Sequence, residues 1–128
     1  MLALGFAMLS PPMSQAALAQ EVPSGQTVTL QEFFLETQAT GETWARGRYI
    51  LPALSQGQGL TYQDVEADFV ALCERDVLPQ LKAASARVTQ IIISIADRET
   101  EFGVADPDAT QFFEAFRPDG STCIWEGF

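Results

Sequence analysis

The side chains able to carry chemistry are few. They are two cysteines, a run of acids and a pair of arginines set beside tryptophan. The sequence has no histidine, which removes Ser-His-Asp and Cys-His couples, His-ligated zinc, c-type haem attachment and an imidazole pH switch. Lys82 is the lone lysine and so the single Schiff-base candidate. Asp97, Glu99, Glu101, Asp106 and Asp108 crowd one segment against Arg98. Oxygen-rich loops bind calcium, but EF-hand spacing is missing here. It is missing too at Asp64-x-Glu66-x-Asp68, where Phe69 stands where that loop needs glycine. The expectation is solvated surface charge, with a calcium-stabilised module as an alternative. A carboxylate pair for glycosidase-type hydrolysis is a second alternative. Its most interesting acid is Asp97, which ends an apolar strand where desolvation would raise its pKa. The plainer expectation is that Asp97 caps a turn and pairs with Arg98. The third constellation is Trp44, Arg46, Arg48 and Tyr49 with Trp125 and Phe128, a composition suited to recognition. Cross-strand pairing of the arginines with Glu32 or Glu36 accounts for them equally well.

The chain has 128 residues, 47% of them hydrophobic and 19% charged, enough for one domain with its own core and no more. Its net charge of −10 argues against nucleic-acid or anionic-lipid partners, which need clustered Lys and Arg. Met1 to Leu9 is apolar or glycine, Ser10-Pro11-Pro12 breaks the run, and Ala17-Leu18-Ala19 fits a cleavage site. This is the layout of a secretory signal peptide over residues 1–19, although no Lys or Arg precedes the apolar run. An apolar N-terminal helix packed on the domain is the alternative. The run is too short to span a bilayer and no cysteine lies near the site, so no stable membrane anchor follows cleavage. An exported domain over residues 20–128 gives Cys73 and Cys123 a meaning: an even count in an oxidising space is a disulfide. Two buried free thiols are the other possibility. The spacing is not that of a C-x-x-C redox motif.

The elements follow from periodicity. Thr27 to Thr37 is rich in β-formers, with the alternation slipping at Gln31-Glu32, where a bulge fits. After a turn at Gly41, Thr43 to Leu51 forms the second strand, with Trp44, Arg46, Arg48 and Ile50 on one face and Ala45, Gly47, Tyr49 and Leu51 on the other. Gly57-x-Gly59 lacks the third glycine of a dinucleotide fingerprint, and no cofactor is expected. Thr61 to Asp64 is a capping-box-like helix start. Val65, Phe69, Leu72, Cys73 and Val77 form one buried stripe, and Pro79 is expected to close the helix near Leu78. Val88 to Ala96, with its isoleucines, is a central strand covered on both faces. Asp97 to Asp108 is a loop. Gln111 to Arg117, a Pro118-Asp119-Gly120 turn and Thr122 to Phe128 complete a β-β-α-β-β-β order. The expected fold is α+β: an antiparallel or mixed sheet of about five strands with one helix across one face.

The segments Ile93-Ser94-Ile95-Ala96-Asp97-Arg98, Ala109 to Arg117, and Thr122-Cys123-Ile124-Trp125-Glu126 resemble a family of small exported proteobacterial proteins of unknown function. The likeness extends back through Gly59-Leu60-Thr61-Tyr62 and the helix cysteine. It implies export and the two-cysteine framework, and it brings no activity and no catalytic residue. The combined expectation is a non-catalytic binding module with an envelope or periplasmic protein partner. Replacing Arg46 and Arg48 with Ala should then leave folding nearly intact but reduce capture of envelope partners.

Overall fold

A computed structural model describes residues 19–55 and 57–127. The apolar N-terminal run and most of the leader assigned to residues 1–19 therefore lie outside the described residues, as do Gln56 and Phe128. The sheet has six strands in sequential order: β1 (Ala19–Glu21), β2 (Thr27–Thr37), β3 (Thr43–Ile50), β4 (Gln90–Ala96), β5 (Gln111–Asp119) and β6 (Thr122–Trp125). The strand beyond the expected five is β1, which straddles the expected cleavage site after Ala19. Its three residues are too few to show alternation, and pairing with β2 is what makes them a strand. Neighbours are antiparallel except β3 and β4, which run parallel. A parallel pair needs a crossover, and the helix supplies it.

That helix, α1, runs over Tyr62–Ala83. It begins as expected, with Asp64 accepting hydrogen bonds from the Thr61 backbone N–H at 2.7 Å and the Thr61 hydroxyl at 2.9 Å. Its stripe is buried in full: Val65, Phe69, Leu72, Cys73 and Val77 are each at most 1% exposed. It does not end before Pro79. Cys73–Val77 widen into a π turn, and the Leu78 N–H bonds the carbonyl of Cys73, five residues back. Proline has no N–H to give and its ring crowds the preceding turn. The wider turn makes room for it, and the helix continues to Ala83.

The core lies between α1 and one face of the sheet. Val28, Ala45, Tyr49, Leu51, Ile91, Ile93, Ile95 and Phe116 face the helix stripe. Gly47 sets the distance of approach, because a Cβ there would stand 3.1 Å from both the Tyr49 ring and the Val77 methyl. The Tyr49 hydroxyl donates to Asp76 in the π turn, and Cys73 is disulfide-bonded to Cys123 in β6. Asp68, 1% exposed, accepts from the Ser24 N–H at 2.8 Å and hydroxyl at 2.6 Å, which fastens the β1–β2 turn to the helix.

The disulfide closes a loop of 50 residues, worth roughly 4 kcal/mol in the chain-entropy account. The double variant Cys73→Ala/Cys123→Ala should lose about that much in urea unfolding, close to the full stability of many small domains. A loss below about 1 kcal/mol would show that the bond contributes little beyond packing.

Candidate functional site

The second face of the sheet is covered by the loop between β4 and β5, and the arginine pair lies beneath it. A register shift between Leu30 and Glu32 creates the arrangement. Leu30 pairs with Tyr49 before it and Glu32 with Arg48 after it, so Gln31 is the extra residue of a bulge. Without it Gln31 would oppose Arg48. With it Glu32, Phe34 and Glu36 share the face of Trp44, Arg46 and Arg48. Arg46 Nε lies 2.8 Å from Glu36 Oε1, and Arg48 is paired with Glu32. Cross-strand pairing and clustering with tryptophan thus hold together, since Arg46 also lies over the Trp44 ring at 5.8 Å.

Arg48 has a further task. It is 6% exposed and donates to the Thr100 carbonyl at 2.8 Å and hydroxyl at 2.7 Å. Gln31 donates to the same carbonyl at 2.8 Å. These bonds hold the loop down on the sheet, which brings the Phe102 ring over Arg46 at 4.9 Å and Arg48 at 5.6 Å, and edge-on to Phe34 at 5.0 Å. Asp97 fixes the root of the loop. Its carboxylate takes bonds from Arg98 at 3.1 and 3.0 Å, the Thr110 N–H at 3.1 Å and the Ser55 hydroxyl at 3.2 Å. Arg98 above all, then the Thr110 and Ser55 donors, hold its pKa below the ordinary value against the opposing effect of burial. Desolvation does not win there, so Asp97 is not the raised-pKa acid that a hydrolase would need. Between loop and sheet a groove of about 450 Å³ remains, lined by Arg46, Ile92, Ser94, Phe102, Val104 and Phe113.

Several predicted residues are placed elsewhere. Tyr49 belongs to the helix face, is 1% exposed, and burial pushes its hydroxyl pKa far up. It is a core residue, not part of an exposed patch. Trp125 is exposed but also on the helix side of the sheet, where its indole N–H donates to Glu114. The calcium candidates do not converge. Asp97 is taken by its donors, Asp106 accepts from the Asp108 N–H at 3.0 Å, and Glu99 and Glu101 face solvent. Among the described residues no three acidic, histidine or cysteine side chains gather where a metal would sit.

Two residues that sequence reasoning passed over matter. Thr100 carries no local signal that separates it from the other polar residues of its loop. Glu114 stood between Phe113 and Ala115 in an apolar run, an oddity that could have been noticed. Glu114 accepts from Tyr62 of α1 and Trp125 of β6. Burial first, then this carboxylate, pushes the Tyr62 hydroxyl pKa up to about 12, so it remains a donor at neutral pH.

The arginines should therefore separate. Arg48→Ala should cost about 1–3 kcal/mol by taking the close donor from the buried Thr100 hydroxyl and leaving the Thr100 carbonyl to Gln31 alone, and Arg46→Ala at most about 1 kcal/mol, both read by urea unfolding. This revises the expectation that losing both arginines spares folding. Asp97 also sets a pH dependence. Its folded pKa is depressed, so the unfolded chain takes up the proton first as pH falls. Its stabilisation is complete above the unfolded value of about 3.9 and fades as pH drops through the folded one. In acid-unfolding curves Asp97→Asn should flatten this part of the transition, and an unchanged curve would assign it to other carboxylates.

No curated protein and no solved structure shows significant similarity to the chain. A family of unknown function, DUF6497, matches residues 7–128. The match takes in every strand, the helix and both cysteines, so this chain belongs to the DUF6497 family of unknown function.

Proposed function

We propose that this chain is an exported, non-catalytic interaction module that engages a protein of the periplasm or cell envelope through the groove under the β4–β5 loop. The observation that carries the reading is the groove's rim. Phe102, Val104 and Phe113 remain 42%, 55% and 46% exposed beside arginines already neutralised by Glu36 and Glu32. Apolar side chains clustered at the mouth of a cleft favour a partner that inserts apolar groups of its own. Their ion pairs leave the two arginines little charge for a ligand to meet, and the other charged groups of the lining are the carboxylates of Glu101 and Asp106. Export is supported by the leader-like order of residues 1–19, by the resemblance to exported proteobacterial proteins, and by a disulfide, a bond that persists in oxidising compartments. Cleavage after Ala19 makes Gln20 the first residue of the mature domain and shortens β1 to Gln20 and Glu21.

A photocrosslinking amino acid at Val104 in cells should capture a discrete protein adduct, and the same probe at Asp119 should not. Phe113→Ser should weaken that capture without changing the melting temperature by more than a few degrees. Equal labelling at both positions, or none, would remove the groove as an interface. Intact mass of the protein recovered from its native cells should begin at Gln20, and retention of Met1 throughout that material would end the export reading.

A further inference from the structure

A second groove, of about 540 Å³, lies on the helix side of the sheet between α1, β5 and β6. Its walls include the aromatic rings of Tyr62, Phe116 and Trp125 and the carboxylates of Glu66 and Glu114, with no basic residue. Glu114 is only 9% exposed. Both of its oxygens accept bonds, yet both donors, Tyr62 and Trp125, are neutral. Among the described residues the ion pairs are Arg46–Glu36, Arg48–Glu32, Arg98–Asp97 and Arg117–Glu126, so neither Glu114 nor Glu66 has a basic partner. A nearly buried carboxylate without a counter-charge is costly. Its two oxygens answer the two neutral donors, and its charge has no basic partner among the described residues. Trp125 stands at the rim with 65% of its surface exposed, although its indole N–H is fixed by Glu114. An oriented indole face beside a carboxylate is the chemistry that attracts an organic cation: the ring quadrupole draws the charge and the acid accepts from it.

We propose that this groove binds an alkylammonium group. The ammonium sits between the carboxylates of Glu114 and Glu66 and against the Trp125 face, with its alkyl stem along Phe116 and Val70. A net charge of −10 draws such ligands toward the molecule from a distance. The groove lies on the opposite side of the sheet from the loop-covered one, so its occupancy is independent of the partner proposed above.

The two tryptophan indole N–H signals of the intact, oxidised protein report on the site, with Trp125→Phe assigning which is which. Titration with 1,4-diaminobutane should move the Trp125 signal saturably and leave that of Trp44 in place. A blocked glycine-lysine-glycine peptide is the second probe. A response to the diamine alone assigns free amines, and a response to the peptide assigns lysyl side chains. Glu114→Gln should weaken binding by about tenfold or more and the exposed Glu66→Gln by about threefold. Glu66→Gln keeps the test decisive even if Glu114→Gln disturbs folding. No saturable shift with either probe overturns the proposal. So does an equal shift with sodium chloride at matched ionic strength, or affinity unchanged in Glu66→Gln and in a folded Glu114→Gln.

Discussion

The structure is organised by β4, whose residues Ile91 to Ala96 are buried on both faces. A strand with no water-facing side needs two covers. One is a helix, which satisfies its own backbone and presents an apolar stripe. The other is a loop without regular structure, whose polar groups have no ladder to join and must be tied individually. Arg48, Gln31 and Asp97 make those ties to Thr100 and Thr110. Among the described residues, no buried side-chain polar atom lacks a partner.

This constraint explains why the arginines are where they are. Arginine in a sheet face beside tryptophan has the composition of a binding surface, and here it fastens a loop. Arg48 gives its donors to Thr100 and its charge to Glu32, so it has little left for a ligand. The apolar groups that the loop brings with it, Phe102 and Val104, stay exposed along the groove beside Phe113 of β5. On the opposite face the helix cover stops short of the sheet edge, and the gap becomes the groove of Tyr62, Glu114 and Trp125. Both cavities therefore arise where a cover meets the sheet imperfectly, which is where pockets commonly form.

The helix shows how tertiary demand overrides a local breaker. Pro79 is a stop signal in any window read by itself. Cys73, Asp76 and Val77, however, are tied to Cys123, Tyr49 and the core around Gly47. These ties hold the π turn in which the proline ring is accommodated. The turn also carries Asp76 to the Tyr49 hydroxyl, which would otherwise be a buried donor without an acceptor.

Period and composition alone determined the α+β class, the bulge near Gln31, the helix start at Thr61 and its stripe, the buried isoleucine strand and the single partner open to each cysteine, while the structure decided that the bond forms. Each depends on signals confined to a few neighbouring residues or on a choice with a single answer. Alternation along β3 already sets Arg46 and Arg48 on the face opposite Tyr49. Tertiary structure decided what no local signal carries. It made a strand of Ala19–Glu21 by giving it a neighbour, and it chose Thr100 from several similar loop residues as the acceptor for Arg48. It also drew Glu114, Tyr62 and Trp125 together from three elements. Contacts between residues distant in the chain depend on register and on how a loop is laid over a sheet, and a one-residue shift at Gln31 is enough to change which side chains meet.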